Sequence, residues 1–213
     1  MSGEIINALG QTLYMVSIST LLAVLIGLPT GIILLITEKG HISENLTINR
    51  VLDFITNILR SIPFIILLVT ILPLTRLIVG KSYGTAASIV PLAISAIPFF
   101  ARVAESSLRE VDNGLIESSL SMGASNLQVI TRVLIPESLP SLVQGITLTV
   151  INLIGYSAMA GAIGGGGLGD IAIRYGYHRS EKDVILYCVV VIVLLVQTVQ
   201  IIGNKISKSI DHK

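Results

Sequence analysis

"VILYCVVVIVLLVQTVQIIG", Val184 to Gly203, runs for twenty residues without one Asp, Glu, Lys or Arg. A helix needs roughly 20 mostly apolar residues to cross the hydrocarbon core of a bilayer, so this stretch alone places the chain in a membrane. Three more charge-free gaps support the same reading: Glu4 to Glu38, Lys81 to Arg102, and Glu137 to Asp170. A fifth run, Phe54 to Leu74, is apolar enough to cross although it carries Arg60 and Pro63. Composition agrees, with 52% hydrophobic and 13% charged residues and a mean hydropathy of +0.84, outside the usual range of a soluble domain.

The predicted fold is all-α and polytopic: a single membrane domain over 1–213 with about five transmembrane helices near 13–36, 54–74, 83–101, 142–163 and 184–203. Lipid leaves only helices or closed barrels able to satisfy the backbone, and these runs lack the alternation of barrel strands. The N-terminal "MSGEIINALG" has no basic region ahead of its apolar run, so it reads as the approach to a retained first span and not as a cleavable signal. Net charge is +1, which gives no basis for nucleic acid as a partner. The lone Cys188 excludes a disulfide framework.

Five spans put the termini on opposite sides. With the N-terminus outside, the inner segments hold Lys39, Arg50, Arg102, Arg109, Arg132, Lys205, Lys208 and Lys213, and the outer ones Arg76, Lys81, Arg174, Arg179 and Lys182. Eight basic residues against five favour N-out, C-in, which makes 102–141 a cytoplasmic connection. Within it Ile116, Leu120, Ala124, Leu127, Ile130 and Leu134 fall on one 3.6-residue stripe opposite Ser118, Ser121, Ser125, Gln128 and Arg132, the pattern of an amphipathic helix. Gly123 weakens such a helix by about 1 kcal/mol relative to Ala, so it marks either a close approach or a sharp turn between two helices. Pro136 is expected to end the segment. The helix either lies on the membrane or its own bundle, or fits a groove on a soluble partner.

Glu117, Gly123, Val133, Ile135 and Pro136 match the spacing of the EAA loop, E-A-A-x3-G-x9-I-x-L-P, so the segment resembles the permease subunits of ABC importers. Ser118 and Ser119 replace the two alanines, and Val133 and Ile135 replace Ile and Leu. "LRSIPFIILLV", "IVPLAISAIPFFARVAE" and "LIGYSAMAGAIGGGGLGDIAIRYGY" are similar to the methionine importer permeases, and the likeness extends over nearly the whole chain. The resemblance implies a type I importer permease domain over about 10–204, in the inner membrane. It implies a homodimeric pore, a cytoplasmic ABC ATPase dimer that binds the ATP, and an external methionine-binding lipoprotein. It also implies that Glu117, Ser118, Ser119, Gly123, Ala124, Leu127, Val133, Ile135 and Pro136 form a coupling helix against the ATPase. The cargo it implies is L-methionine, with D-methionine as a further candidate. The chain is then a transport subunit and not itself the enzyme.

Other motifs carry less. "GGGGLG", Gly164 to Gly169, lacks the Lys-Ser/Thr and the preceding strand of a phosphate cradle and reads as a flexible outer turn, near a docked binding protein if the resemblance holds. "GYSAMAG", Gly155 to Gly161, has no base beside Ser157; its small residues suit close helix packing. Tyr156 and Met159, at i and i+3, are candidates for lining the pore or its gate. Arg60, roughly 9 Å into its span at 1.5 Å per residue, either snorkels or serves the cytoplasmic mouth. No His, Cys or carboxylate cluster has metal-ligand spacing, and no cofactor is expected on this chain. Glu105, Glu110, Asp112, Glu117 and Glu137 are expected to form salt bridges or solvated charge with Arg102, Arg109 and Arg132. The same architecture carrying another amino acid or small peptide stays open, as does an ion-coupled secondary transporter, though the latter lacks carboxylates within the predicted spans.

Overall fold

The computed structural model describes residues 2–211; Lys213, counted above among the inner basic residues, lies outside them. The chain folds as α1 (Ser2–Ile36), α2 (Leu46–Ser61), α3 (Phe64–Thr70), α4 (Leu72–Val79) and α5 (Thr85–Arg109), followed by α6 (Asn113–Ser121) and α7 (Asn126–Val129). A π-helical turn over Ile130–Leu134 leads without a break into α8 (Ile135–Gly161); α9 (Gly167–Ile171), a second π-helical stretch Ala172–Tyr177, and α10 (Lys182–Ile210) complete it. No strand occurs among the described residues. Among the described residues four helices are long and apolar enough to cross a membrane: Gly3–Ile36, Thr85–Arg109, Asn126–Gly161 and Lys182–Ile210.

The fifth predicted span is not one helix. Its run is divided between α2 and α3, which meet at 98°. The residue before a proline is pushed out of the α region, and Ile62 accordingly takes φ −82°, ψ 121°, with Pro63 capping α3. Arg60 therefore lies in the exposed last turn of α2, a helix that starts at Leu46 and not at Phe54, where its charge suits the negative helix end.

The bundle is built on the pairing of α1 with α5. Gly27 and Gly31 stand four apart on α1, and a Cβ at Gly27 would lie 2.9 Å from the Ile97 carbonyl oxygen while one at Gly31 would lie 2.9 Å from Ala104 Cβ. This small-residue seam lets the two backbones touch, the usual route to helix association where no hydrophobic drive separates helix from lipid. Met15, Leu92, Phe100, Leu153 and Ile154 form the buried centre. By contrast α10 presents Leu186, Val190, Val193, Leu194 and Ile201 outward, a face suited to hydrocarbon.

The glycine run after α8 is not a flexible turn. The Gly167 N–H donates to Gln11 Oε1 at 2.8 Å, Leu168 N–H to Thr12 Oγ1 at 3.0 Å, and Gly84 N–H to the Gly164 carbonyl at 2.9 Å. Gly165, Gly167, Leu168 and Gly169 are buried. The run is thereby clamped between α1, α5 and α8, because residues without Cβ atoms let three backbones converge.

Candidate functional site

At the end of the bundle where α1 finishes and α8 begins, α6 and α7 form a compact helix–turn–helix. Asp112 opens α6 by accepting the Gly114 N–H at 2.6 Å. The helix closes in a Schellman motif: Gly123 N–H to the Leu120 carbonyl at 2.9 Å, and Ala124 N–H to the Ser119 carbonyl at 3.1 Å. Gly123 holds φ +85° and nothing would lie within 4 Å of a Cβ there, so of the two reasons for this glycine the sharp turn is the one realised within the chain. Ser125 and Gln128 then start α7 with a reciprocal capping box. The turn is thus held by its own backbone and cap bonds, and Asn126 ties it to the segment after α1 by donating to the Ile42 carbonyl at 2.9 Å.

Beneath it lies an apolar cluster of Leu35, Leu108, Val111, Ile116, Val129 and Leu134, with Ala124, Val133 and Ile135 packed on its edge. Val129 takes the place in this cluster that periodicity assigned to Leu127, since the turn at Gly123 resets the helical phase; Leu127 is 69% exposed. Met122 is 81% exposed beside it, a residue the stripe did not single out. Glu117, Ser118, Gly123 and Pro136 also face outward, while Ser119 is half-buried and bonds the Leu115 carbonyl at 2.7 Å. Of the residues expected in this motif, the structure thus brings Ala124, Val133 and Ile135 into the foundation and leaves Glu117, Ser118, Gly123, Leu127 and Pro136 on the accessible side.

Pro136 does not end the segment. The π-helical turn before it, closed by the Ile135 N–H on the Ile130 carbonyl, widens the helix where the Pro ring would otherwise clash with the carbonyl four residues back. One continuous rod consequently runs from Asn126 to Gly161. The expected loop 102–141 shrinks too, because α5 runs on to Arg109 and α8 begins at Ile135.

The charged residues of this end fall into two groups. Arg102 pairs with Asp53 and with Glu105 (2.8 Å), and Arg109 pairs with Glu105 (2.9 Å) and Glu38 (2.7 Å). The expected pairing of Glu105 with Arg102 and Arg109 is therefore present, whereas Asp53 and Glu38 come from parts of the chain that spacing could not connect. Glu110, Asp112, Glu117, Glu137 and Arg132 take no part in the ion pairs found among the described residues. A groove of about 460 Å³ between this network and α6 is lined by Glu38, His41, Arg109, Asn113, Glu117 and Leu120. Burial holds the His41 imidazole below its ordinary value; Glu38 pulls it upward and Arg109 adds to the lowering.

Tyr156 and Met159 take different environments on α8. Tyr156 is half-buried, its ring stacked on Phe64 of α3 at 4.5 Å and 5°, and Met159 is 47% exposed. At the opposite end, Tyr175 donates to Glu4 Oε1 at 2.8 Å and lies under the guanidinium groups of Arg174 and Arg179 at 4.9 and 4.6 Å. The bond to Glu4 and that carboxylate's charge raise the Tyr175 phenol above its ordinary value. No group of three or more His, Cys, Asp or Glu able to hold a metal exists among the described residues.

Comparison with known proteins gives one consistent result. The family model described as binding-protein-dependent transport system inner membrane component matches residues 23–211. A probable D-methionine transport system permease protein of Vibrio cholerae is 50% identical over 212 residues, covering 100% of this chain and 94% of that protein. The methionine import system permease protein of Bacillus subtilis is 46% identical over 210 residues, covering 99% and 95%. Among solved structures, an inward-facing MetNI methionine ABC transporter superposes with a TM-score of 0.98 at 45% identity, covering 100% of this chain and 98% of that one. An amino acid ABC transporter at 18% identity and a TM-score of 0.81 shares the fold.

Proposed function

The chain belongs to the family of binding-protein-dependent transport system inner membrane components, and on that premise we propose that it forms the membrane pathway of an ATP-driven ABC importer whose cargo is methionine. The observation that carries the mechanism is the corner at Gly123. It is capped on both sides, it exposes Met122 and Leu127, and it stands at the head of a rod that runs unbroken to Gly161. An exposed apolar tip on a stiff base is a surface built for a partner, and the partner that fits is a cytoplasmic ABC ATPase. Closure of an ATPase dimer around ATP pushes the corner, and α8 carries that displacement into the bundle as a rigid-body shift. ATP and its hydrolysis belong to the ATPase.

The whole-length likeness to methionine permeases supports the cargo. The arrangement also calls for a second copy of this chain to complete the pore and for an external binding lipoprotein to deliver substrate to the face that carries Tyr175. The excess of basic residues on the Gly123 side supports an N-terminus outside and a C-terminus in the cytoplasm. An ion-coupled carrier is the weaker reading. The one carboxylate of α5, Glu105, is already held by two arginines, which suits a structural role.

The test is uptake of labelled L-methionine by cells lacking their own importers and expressing this chain with its ATPase and binding lipoprotein. Uptake is expected only when all three are present; uptake that persists without the ATPase would sink the reading, and an excess of unlabelled D-methionine reports on stereochemical range. Within the pathway, Tyr156 and Met159 are proposed as pore or gate residues, whereas Arg60 is proposed as a helix-end charge. A thioether is soft and polarisable and fills irregular gaps, so Met159→Ala is expected to raise ATP-independent methionine efflux from loaded vesicles severalfold. An unchanged leak and an unchanged uptake rate together remove Met159 from the gate.

A further inference from the structure

Five charged side chains from three parts of the fold form one continuous chain. Glu38, just past the end of α1, receives Arg109 at 2.7 Å; Arg109 also reaches Glu105 Oε1 at 2.9 Å; Glu105 Oε2 receives Arg102 at 2.8 Å; and Arg102 pairs with Asp53 on α2. Asn57 extends the last contact, accepting from Arg102 at 3.1 Å and donating to Asp53 at 3.0 Å. One end of the chain lines the groove against α6. The other end lies on α2, nearly three turns before the break at Pro63.

What this contact does follows from how little else holds α2. Its apolar residues Val51, Phe54, Ile55 and Ile58 point away from the bundle, only Leu52 and Leu59 turn half-buried toward it, and Thr56 is its one buried residue. Apolar packing therefore fixes its position only in part. The helix is tied by Asn49, which donates to the Leu34 carbonyl at 2.7 Å, and by the Asp53–Arg102 contact. Glu105 is nearly buried, with 11% of its side chain exposed. A buried ion pair is weak evidence for stability; setting a register or a switch is its best-attested use. Past the break, α3 rests on α8 through the Phe64–Tyr156 stack.

We propose that Glu38, Arg109, Glu105, Arg102 and Asp53 act as a positioning network that carries displacement of the Gly123 corner to α2, and through the bend at Pro63 to α3 and its contact with Tyr156. The inference rests on the importer reading, since it needs a partner that moves the corner. The network gives α2 and α3 a drive of their own, separate from the α8 rod, so that both walls of the Phe64–Tyr156 contact move in step.

The experiment is a double-mutant cycle of Asp53→Ala, Arg102→Ala and the pair together in proteoliposomes holding the whole importer and supplied with binding protein. The quantity read is ATP hydrolysed per methionine taken up, a ratio that simple loss of folded protein leaves unmoved. Each single variant is expected to raise the ratio by roughly 5-fold or more, the lower end of ordinary coupling effects. The double variant is expected to equal either single one, since both remove the same contact, and Asp53→Glu is expected to restore most of the wild-type ratio. A wild-type ratio in both single variants, or independent and additive effects, overturns the network. So does a parallel fall of uptake and hydrolysis at a fixed ratio. If the wild-type importer takes up no methionine, the methionine reading falls, and the inference, stated for methionine uptake, falls with it.

Discussion

Gly123→Val is expected to reduce methionine uptake to background while the chain still reaches the membrane in near-normal amount. At φ +85° an L-residue meets its own carbonyl, at a cost of about 1–2 kcal/mol, and a β-branched side chain is the worst case because both γ-carbons crowd the turn. The bundle absorbs such a cost, since its centre at Phe100 and Leu153 lies far along the helices from this corner. The turn does not absorb it. It relaxes by abandoning the αL conformation, which breaks the bonds from Gly123 to Leu120 and from Ala124 to Ser119 and swings Met122 relative to Leu127. Gly123→Asn separates backbone from bulk. Asn tolerates αL, and with nothing within 4 Å of the Cβ the isolated chain accommodates it. Loss of uptake in the Asn variant as well therefore reports a partner pressed against this point. Normal transport by the Val variant would remove the corner from the coupling mechanism.

That corner also shows where the sequence was informative and where it was not. Charge-free length marks a membrane helix because hydrocarbon tolerates nothing else, so Val184–Gly203 is legible from composition alone. The EAA spacing located the corner because two of its matching positions carry a local constraint: αL at Gly123, a widened turn at Pro136. Local rules also contained what the helical stripe missed. Ser125 and Gln128 form a capping box readable at spacing i, i+3, and Ile62 before Pro63 signals the break that a hydropathy window averages away. Non-local geometry was different. Spacing does not show that Asp53 meets Arg102 across 49 positions, or that Gln11 and Thr12 bind the glycine run 156 positions later. Glycines in sequence look like freedom; whether they mean a loose turn or a crowded crossing depends on what else arrives there.

The crossing makes the second large prediction. Gly161 ends α8 and Gly169 lies in α9, and each is packed on the other's helix. A Cβ on Gly161 would stand 2.7 Å from the Gly169 carbonyl carbon and 2.9 Å from its Cα; one on Gly169 would stand 2.7 Å from the Ala158 carbonyl carbon. These are backbone atoms, so no rotamer change relieves the overlap. Overpacking a core ordinarily costs about 1–3 kcal/mol, and here relief requires α9 to part from α8 and the bonds from Gly167 to Gln11 and from Leu168 to Thr12 to be lost with it. Gly161→Leu and Gly169→Leu are therefore expected to deplete the folded chain from the membrane and to lower its melting temperature in detergent. Gly155→Leu lies on the same helix as Gly161 with nothing within 4 Å of its Cβ, and it is expected to fold as the wild type does. Equal depletion of all three would mean that leucine is rejected for a reason other than the crossing. Normal amounts of the Gly161 and Gly169 variants would mean that the glycine run is the loose turn its composition suggests.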